Sequence, residues 1–178
     1  MKLSLLSIFL FISLIIFDSH AQKKKWGQED LKKANRAIAD IKAKNKKIHS
    51  YFANAYGYAV FPGVGKGGIG VGGAYGKGTV FRKGGKAIGG VRLTQVTIGF
   101  QLGGQSYIEC IFFQSKSAFD NFVEGNFEFA PNATAVALTE GAQVNVPYKN
   151  GVAVITMAKG GLMYEASVGG QKFSFIEP

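Results

Sequence analysis

From about Gln28 to Ala55, apolar residues fall at Leu31, Ala34, Ile38, Ile41, Ile48, Phe52 and Ala55. Steps of three, four and seven place them on one stripe of a helix with about 3.6 residues per turn. Lys32, Arg36, Lys46 and Lys47 fall opposite that stripe, and Lys33, Lys42 and Lys44 lie along its flanks. The spacing therefore predicts a basic amphipathic helix, with Glu29–Lys33 and Asp40–Lys44 spaced for mild i,i+4 support. Asn45 stands where a further apolar residue belongs, so the helix is expected to bend or fray there.

After Tyr56 the pattern changes to strands and glycine turns. Gly57-Tyr-Ala-Val-Phe-Pro62 is a short apolar run closed by proline, and glycine then recurs through Gly78, as tight turns or closely approaching backbones require. Thr79 to Arg82 followed by Lys83-Gly84-Gly85-Lys86 predicts a hairpin tip. Val96, Ile98, Phe100 and Leu102 alternate with polar residues or glycine, as in a strand with one face in the core. Val91 and Leu93 have the opposite parity, which a bulge near Thr94-Gln95 would reconcile. Tyr107 to Phe113 is apolar on both faces and should be central. Ser117-Ala-Phe-Asp120 resembles a capping box opening a short helix. Further strands are expected at residues 133–138, 152–157, 162–166 and 172–176, the last three separated by Gly160-Gly161 and Gly169-Gly170, which suggests a carboxy-terminal meander. The fold class that follows is α+β and mainly antiparallel: a curved or barrel-like sheet with a basic amphipathic amino-terminal helix and a short internal helix.

The first residues change the biological setting. Met1-Lys2, an apolar run from Leu3 to Phe17, then Asp18-Ser-His-Ala21 have the layout of a secretory signal peptide. The run carries Ser4, Ser7 and Ser13 and falls short of the about 20 apolar residues that a spanning helix needs. Residues 1–21 are therefore read as a removed leader, and residues 22–178 as one domain, periplasmic or secreted and able to lie peripherally on a membrane. With one cysteine, Cys110, an exported chain forms no internal disulfide, and its apolar setting predicts a buried thiol.

Charge is distributed unevenly. The net charge of +10 hides a basic stretch, residues 22–92, with 16 Lys and Arg against 3 acids, and a mildly acidic remainder with 4 against 7. Such asymmetry points to an anionic partner. Export excludes nucleic acid and leaves a membrane surface. Catalytic chemistry is sparse. Gly63-Val-Gly-Lys-Gly-Gly68 matches GxGxxG formally but lacks the following helix and the later acidic residue that a dinucleotide needs. The mature chain has one histidine, His49, expected on a helix surface, and one histidine with one cysteine make no zinc site. No metal, cofactor or catalytic residue is expected. Glu109 is the exception, a carboxylate inside a predicted central strand, expected to pair with a lysine or arginine or to face a solvated mouth.

Tyr56-Gly-Tyr-Ala-Val-Phe-Pro-Gly-Val-Gly-Lys-Gly-Gly68, Val71-Gly-Gly73, Gly76-Lys-Gly78, Gly99-Phe-Gln-Leu-Gly103 and Lys159-Gly-Gly-Leu-Met-Tyr-Glu-Ala-Ser167 together resemble the SYLF lipid-binding domain family. The resemblance runs from about residue 30 to the end. It implies binding to phosphoinositides, partly through a basic amphipathic amino-terminal segment, and for some members binding to actin. Here the leader separates the chain from cytoplasmic actin and inositol lipids, so the implied ligand is an anionic phospholipid or another envelope component. Lys32, Lys33, Arg36, Lys46 and Lys47 on the helix, with Lys66, Lys77, Arg82, Lys83 and Lys86 in the glycine-rich half, are the candidate lipid-binding residues. The alternative is a structural or protein-interaction component of the bacterial envelope without specific lipid binding.

Overall fold

The computed structural model describes residues 25–178 apart from 70, 99–103, 131–132, 141–143 and 161–165. The leader expected at 1–21 lies outside the described residues, as do Phe100, Leu102 and all but Ala166 of the strand expected at 162–166. The predicted amino-terminal helix is present in two pieces, α1 (Gln28–Lys44) and α2 (His49–Asn54), joined by a 3-10 turn over Lys46–Ile48. Asn45 makes the break: its backbone is extended, and its side chain accepts from the amide of Lys47 at 3.0 Å. An asparagine oxygen supplies an N-cap that an apolar residue cannot. The short internal helix also forms, as α3 (Lys116–Val123), with Ser115 rather than Ser117 as its cap.

The strands are β1 (Gly57–Ile69), β2 (Val71–Arg82), β3 (Lys86–Ile98), β4 (Gln105–Phe113), β5 (Thr134–Ala137), β6 (Val152–Gly160), β7 (Ala166–Ser167) and β8 (Lys172–Ile176). They lie in the order β7-β5-β6-β4-β1-β2-β3-β8 and pair antiparallel except for β5 with β6. Pro62 does not end β1; it falls where the register shifts with both neighbours, between Val60 and Val64 against β2 and between Phe61 and Val64 against β4. At such a bulge the missing N–H costs no ladder bond. No bulge interrupts β3 near Thr94-Gln95: its pairing with β2 runs unbroken from Gly89 to Ile98. Val91, Leu93 and Gln95 therefore face inward, and Val96 points out, 75% exposed. Among the described residues the carboxy-terminal strands form no meander, because β5 separates β6 from β7 and β8 crosses to the far margin beside β3.

That crossing shapes the molecule. At about 4.8 Å per strand, a flat sheet in this order would hold β7 and β8 about 34 Å apart. The four residues joining them, Val168–Gln171, reach at most about 18 Å. The sheet is therefore strongly curled, yet not closed into a barrel: among the described residues no ladder joins β7 to β8. Phe129 and Ala133, between α3 and β5, line this seam, with Gly170 N donating to Phe129 O at 3.0 Å and Val168 N to Ala133 O at 3.2 Å.

Curling gives the sheet two buried faces. The outer one presents Tyr58, Val60, Phe81, Ile108, Cys110, Phe112, Ala153 and Ile155 to Ala34, Ala37 and Ile41 of α1 and to Ile48 and Phe52. The inner one packs Phe61, Val64, Val91, Leu93, Ile111 and Phe113 around Phe119 and Phe122 of α3 and Phe173 of β8. The apolar stripe of α1 is thus spent on its own domain. Trp26 anchors the start of that helix, donating from Nε1 to Thr79 Oγ1 at 3.0 Å over Gly90, where a Cβ would lie 2.8 Å from the Trp26 side chain. Gly57 is required in the same way by Phe119, whose ring would come within 2.4 Å of an added Cβ.

Candidate functional site

Where α1 crosses β1 and β2 it leaves a groove of about 520 Å³. Helical spacing brings Asp30, Lys33, Arg36, Ala37 and Asp40 to one wall, and the bulge at Pro62-Gly63 with Tyr75 to Gly78 forms the other. Lys159 of β6 closes one end and donates to Pro62 O at 3.0 Å. Four cations thus meet two carboxylates. Lys77 is engaged: its Nζ lies 2.8 Å from Asp30 Oδ2, and Asp30 also accepts the Gly27 amide at 3.1 Å, tying the helix start to β2. Lys33 lies 3.8 Å from Glu29, both side chains well exposed, a pairing worth little in water. No carboxylate among the described residues pairs with Arg36. Tyr75, 54% exposed, offers an aromatic face at the rim. A guanidinium fork flanked by two ammonium groups and an aromatic ring suits a phosphate or carboxylate at a water interface.

The ten candidate residues do not gather on one face. Lys33, Arg36 and Lys77 meet in the groove. Lys32 is exposed elsewhere on α1, and Lys46 and Lys47 lie at the 3-10 corner, where Lys46 shares a shallow concavity with Lys42 and His49. His49 is exposed, as a helix-surface residue should be. Arg82, Lys83 and Lys86 surround the exposed β2–β3 turn. Lys66 is half-buried towards the other end of β1, on the inner face opposite Gln105. Lys159 and Tyr75 escaped the sequence reading. Lys159 belongs to the acidic portion of the chain and reaches the groove only because β6 lies two strands from β1, a fact no local pattern carries. The GxGxxG segment lies within β1, with a strand rather than a helix after it.

A second polar assembly occupies the inner face. Glu109 is fully buried and paired with neither lysine nor arginine by hydrogen bond; its Oε2 accepts from Gln171 Nε2 at 3.1 Å. Burial pushes its pKa up to about 7, against the opposing pull of the Gln171 hydrogen bond and of Lys66. Gln171 Nε2 also faces Gln95 Oε1 at 3.5 Å, and Gln95 Nε2 donates to Gly169 O at 2.8 Å. Thr156 is the cross-strand neighbour of Glu109. Tyr107 OH, Glu109 Oε1, Thr156 Oγ1 and Gln171 Oε1 are all buried without a protein hydrogen-bond partner. Cys110, on the opposite face, is buried as expected, and burial raises its thiol pKa far above the ordinary value.

Among the described residues no three His, Cys, Asp or Glu side chains cluster as metal ligands, and no helix is long and apolar enough to cross a membrane. No family model matches the chain. Over 72 residues the chain is 32% identical to beta cell expansion factor A of Aeromonas veronii. The aligned stretch is 40% of this chain and spans 28% of that protein's length.

Proposed function

We propose that the chain is an exported, non-catalytic module that associates with anionic phospholipid head groups at a membrane surface, and that the groove between α1 and the β1–β2 hairpin is the head-group seat. The observation carrying this reading is the convergence of Lys33, Arg36, Lys77 and Lys159 on one concavity rimmed by an exposed tyrosine. Basic residues near an anionic surface contribute about 1 kcal/mol each, so four give at most about millimolar affinity, and less with Lys77 held by Asp30. The stripe of α1 adds nothing while it is packed on the sheet. Further affinity then comes from direct contact between Arg36 and a phosphate group inside the groove.

Co-sedimentation with vesicles of neutral phospholipid, and of the same lipid mixed with an anionic one, tests this. Recovery should be higher with the anionic vesicles, fall as salt rises, and drop about tenfold or more in a Lys33→Glu, Arg36→Glu variant. A Lys46→Glu, Lys47→Glu variant, altered outside the groove, should lose less. Equal recovery on both vesicles, insensitive to salt, would count against lipid binding. It would favour the reading as an envelope interaction protein, for which the cavity of about 390 Å³ lined by Phe127, Phe129, Val136, Val146 and Val152 offers a docking surface.

A further inference from the structure

Among the buried polar atoms without partners, two belong to side chains already joined to each other. Glu109 Oε2 accepts from Gln171 Nε2 at 3.1 Å, while Glu109 Oε1 and Gln171 Oε1 are both orphaned. Gln95 donates from Nε2 to Gly169 O at 2.8 Å, which turns its Oε1 towards Gln171 Nε2 at 3.5 Å and agrees with the amide orientation that the Glu109 bond requires. Both orphans are acceptors when the carboxyl group is ionised, so no arrangement of the protein's hydrogens between them satisfies either. A proton on Glu109 Oε1 would turn that oxygen into a donor, which the Gln171 carbonyl oxygen lacks.

We propose that Glu109 and Gln171 form a carboxylic acid–carboxamide latch: with Glu109 protonated, Oε1–H donates to Gln171 Oε1 while Gln171 Nε2 donates to Glu109 Oε2, and this two-bond ring fastens the Val168–Gln171 seam across the inside of the curled sheet. Loss of the proton sets two acceptor oxygens against each other and releases the seam. The placement gives this pair its leverage. Gln171 lies in the four residues that hold the margins of the sheet together, and Glu109 lies on β4, in the middle of it. Gln95 reinforces the same segment from β3 through Gly169 O at 2.8 Å. The groups facing Glu109 among the described residues are Phe61 and Lys66 from β1, Gln95 from β3, Tyr107 from β4 and Thr156 from β6. Of these only Lys66 is charged and favours the ionised form; burial outweighs it, so the latch changes state near neutral pH.

Amide exchange on the full chain reads the latch directly, because the amides of Gly170 and Gln171 are hydrogen-bonded within the seam, to Phe129 O at 3.0 Å and Val168 O at 3.2 Å. After correction for the intrinsic pH dependence of exchange, seam protection should fall on the order of a hundredfold between pH 5 and pH 8. Glu109→Gln presents an amide N–H to Gln171 Oε1 at every pH, so its seam should remain protected throughout. Infrared absorption supplies the second readout: the C=O band of a protonated, buried carboxyl should be present in the wild type at pH 5, vanish by pH 8, and be missing in Glu109→Gln. Wild-type pH dependence persisting in the variant would overturn the latch, as would a carboxyl group already ionised at pH 5.

Discussion

A carboxyl group inside Tyr107-Ile-Glu-Cys-Ile-Phe-Phe113 makes the stability of the whole chain depend on pH. Burial raises the pKa of Glu109 from 4.5 to about 7. Below pH 4.5 the group is protonated in both the folded and the unfolded chain, and the folded state has its full relative stability. Between 4.5 and about 7 the unfolded chain releases a proton that the folded one keeps, so stability falls as pH rises; above about 7 the loss is complete. The shift corresponds to on the order of 3 kcal/mol. Glu109→Gln should therefore flatten the pH dependence of the urea midpoint across this window and exceed the wild type in stability by a similar amount at pH 8. Sequence marks Glu109 as exceptional, since a carboxylate among six mostly apolar neighbours is costly unless partnered. It does not identify the partner, because Gln171 is 62 residues away and meets it only through the chain's path around the sheet.

Elements were legible where their signal is local. The stripe from Leu31 to Ile41 specifies a helix face, and Asn45 specifies where the helix stops, because both effects act within a turn of the chain. The parity of β3 was not legible. Val96 is as apolar as Leu93, and only pairing with β2 on one side and β8 on the other decides that Leu93 is buried and Val96 is not. The docking of α1 admits a direct test. Ile41 is fully buried between the helix and the outer face of the sheet, so Ile41→Ala should cost about 2–5 kcal/mol in unfolding free energy. Ile38→Ala, at a half-buried position one turn earlier, should cost less. Equal costs at the two positions would mean that the helix sits in solution differently from the arrangement described.

At the scale of the whole molecule, a charge count gives the sign of the surface but not its geography. The basic amino-terminal portion is spread over a helix, a hairpin turn, a 3-10 corner and the inner face, and three of the ten candidates share the groove. Strand order decided this, and strand order is a property of distant pairings. The placement of β8 has a consequence for how the molecule is made. Strands β1, β2 and β3 can zip up from short turns as soon as they exist, whereas Gly57 must find Phe113, and Gly90 must wait for Ile176. Closing such long loops costs entropy before any contact repays it. Refolding from urea should accordingly take milliseconds to seconds in stopped-flow fluorescence, roughly the range of all-β topologies, with the β1–β3 amides protected early and those of β8 last. Weakening β8, for example by Phe173→Ala, should then hasten unfolding far more than it slows refolding. The strand completing the sheet would set the lifetime of the native state rather than the speed of reaching it.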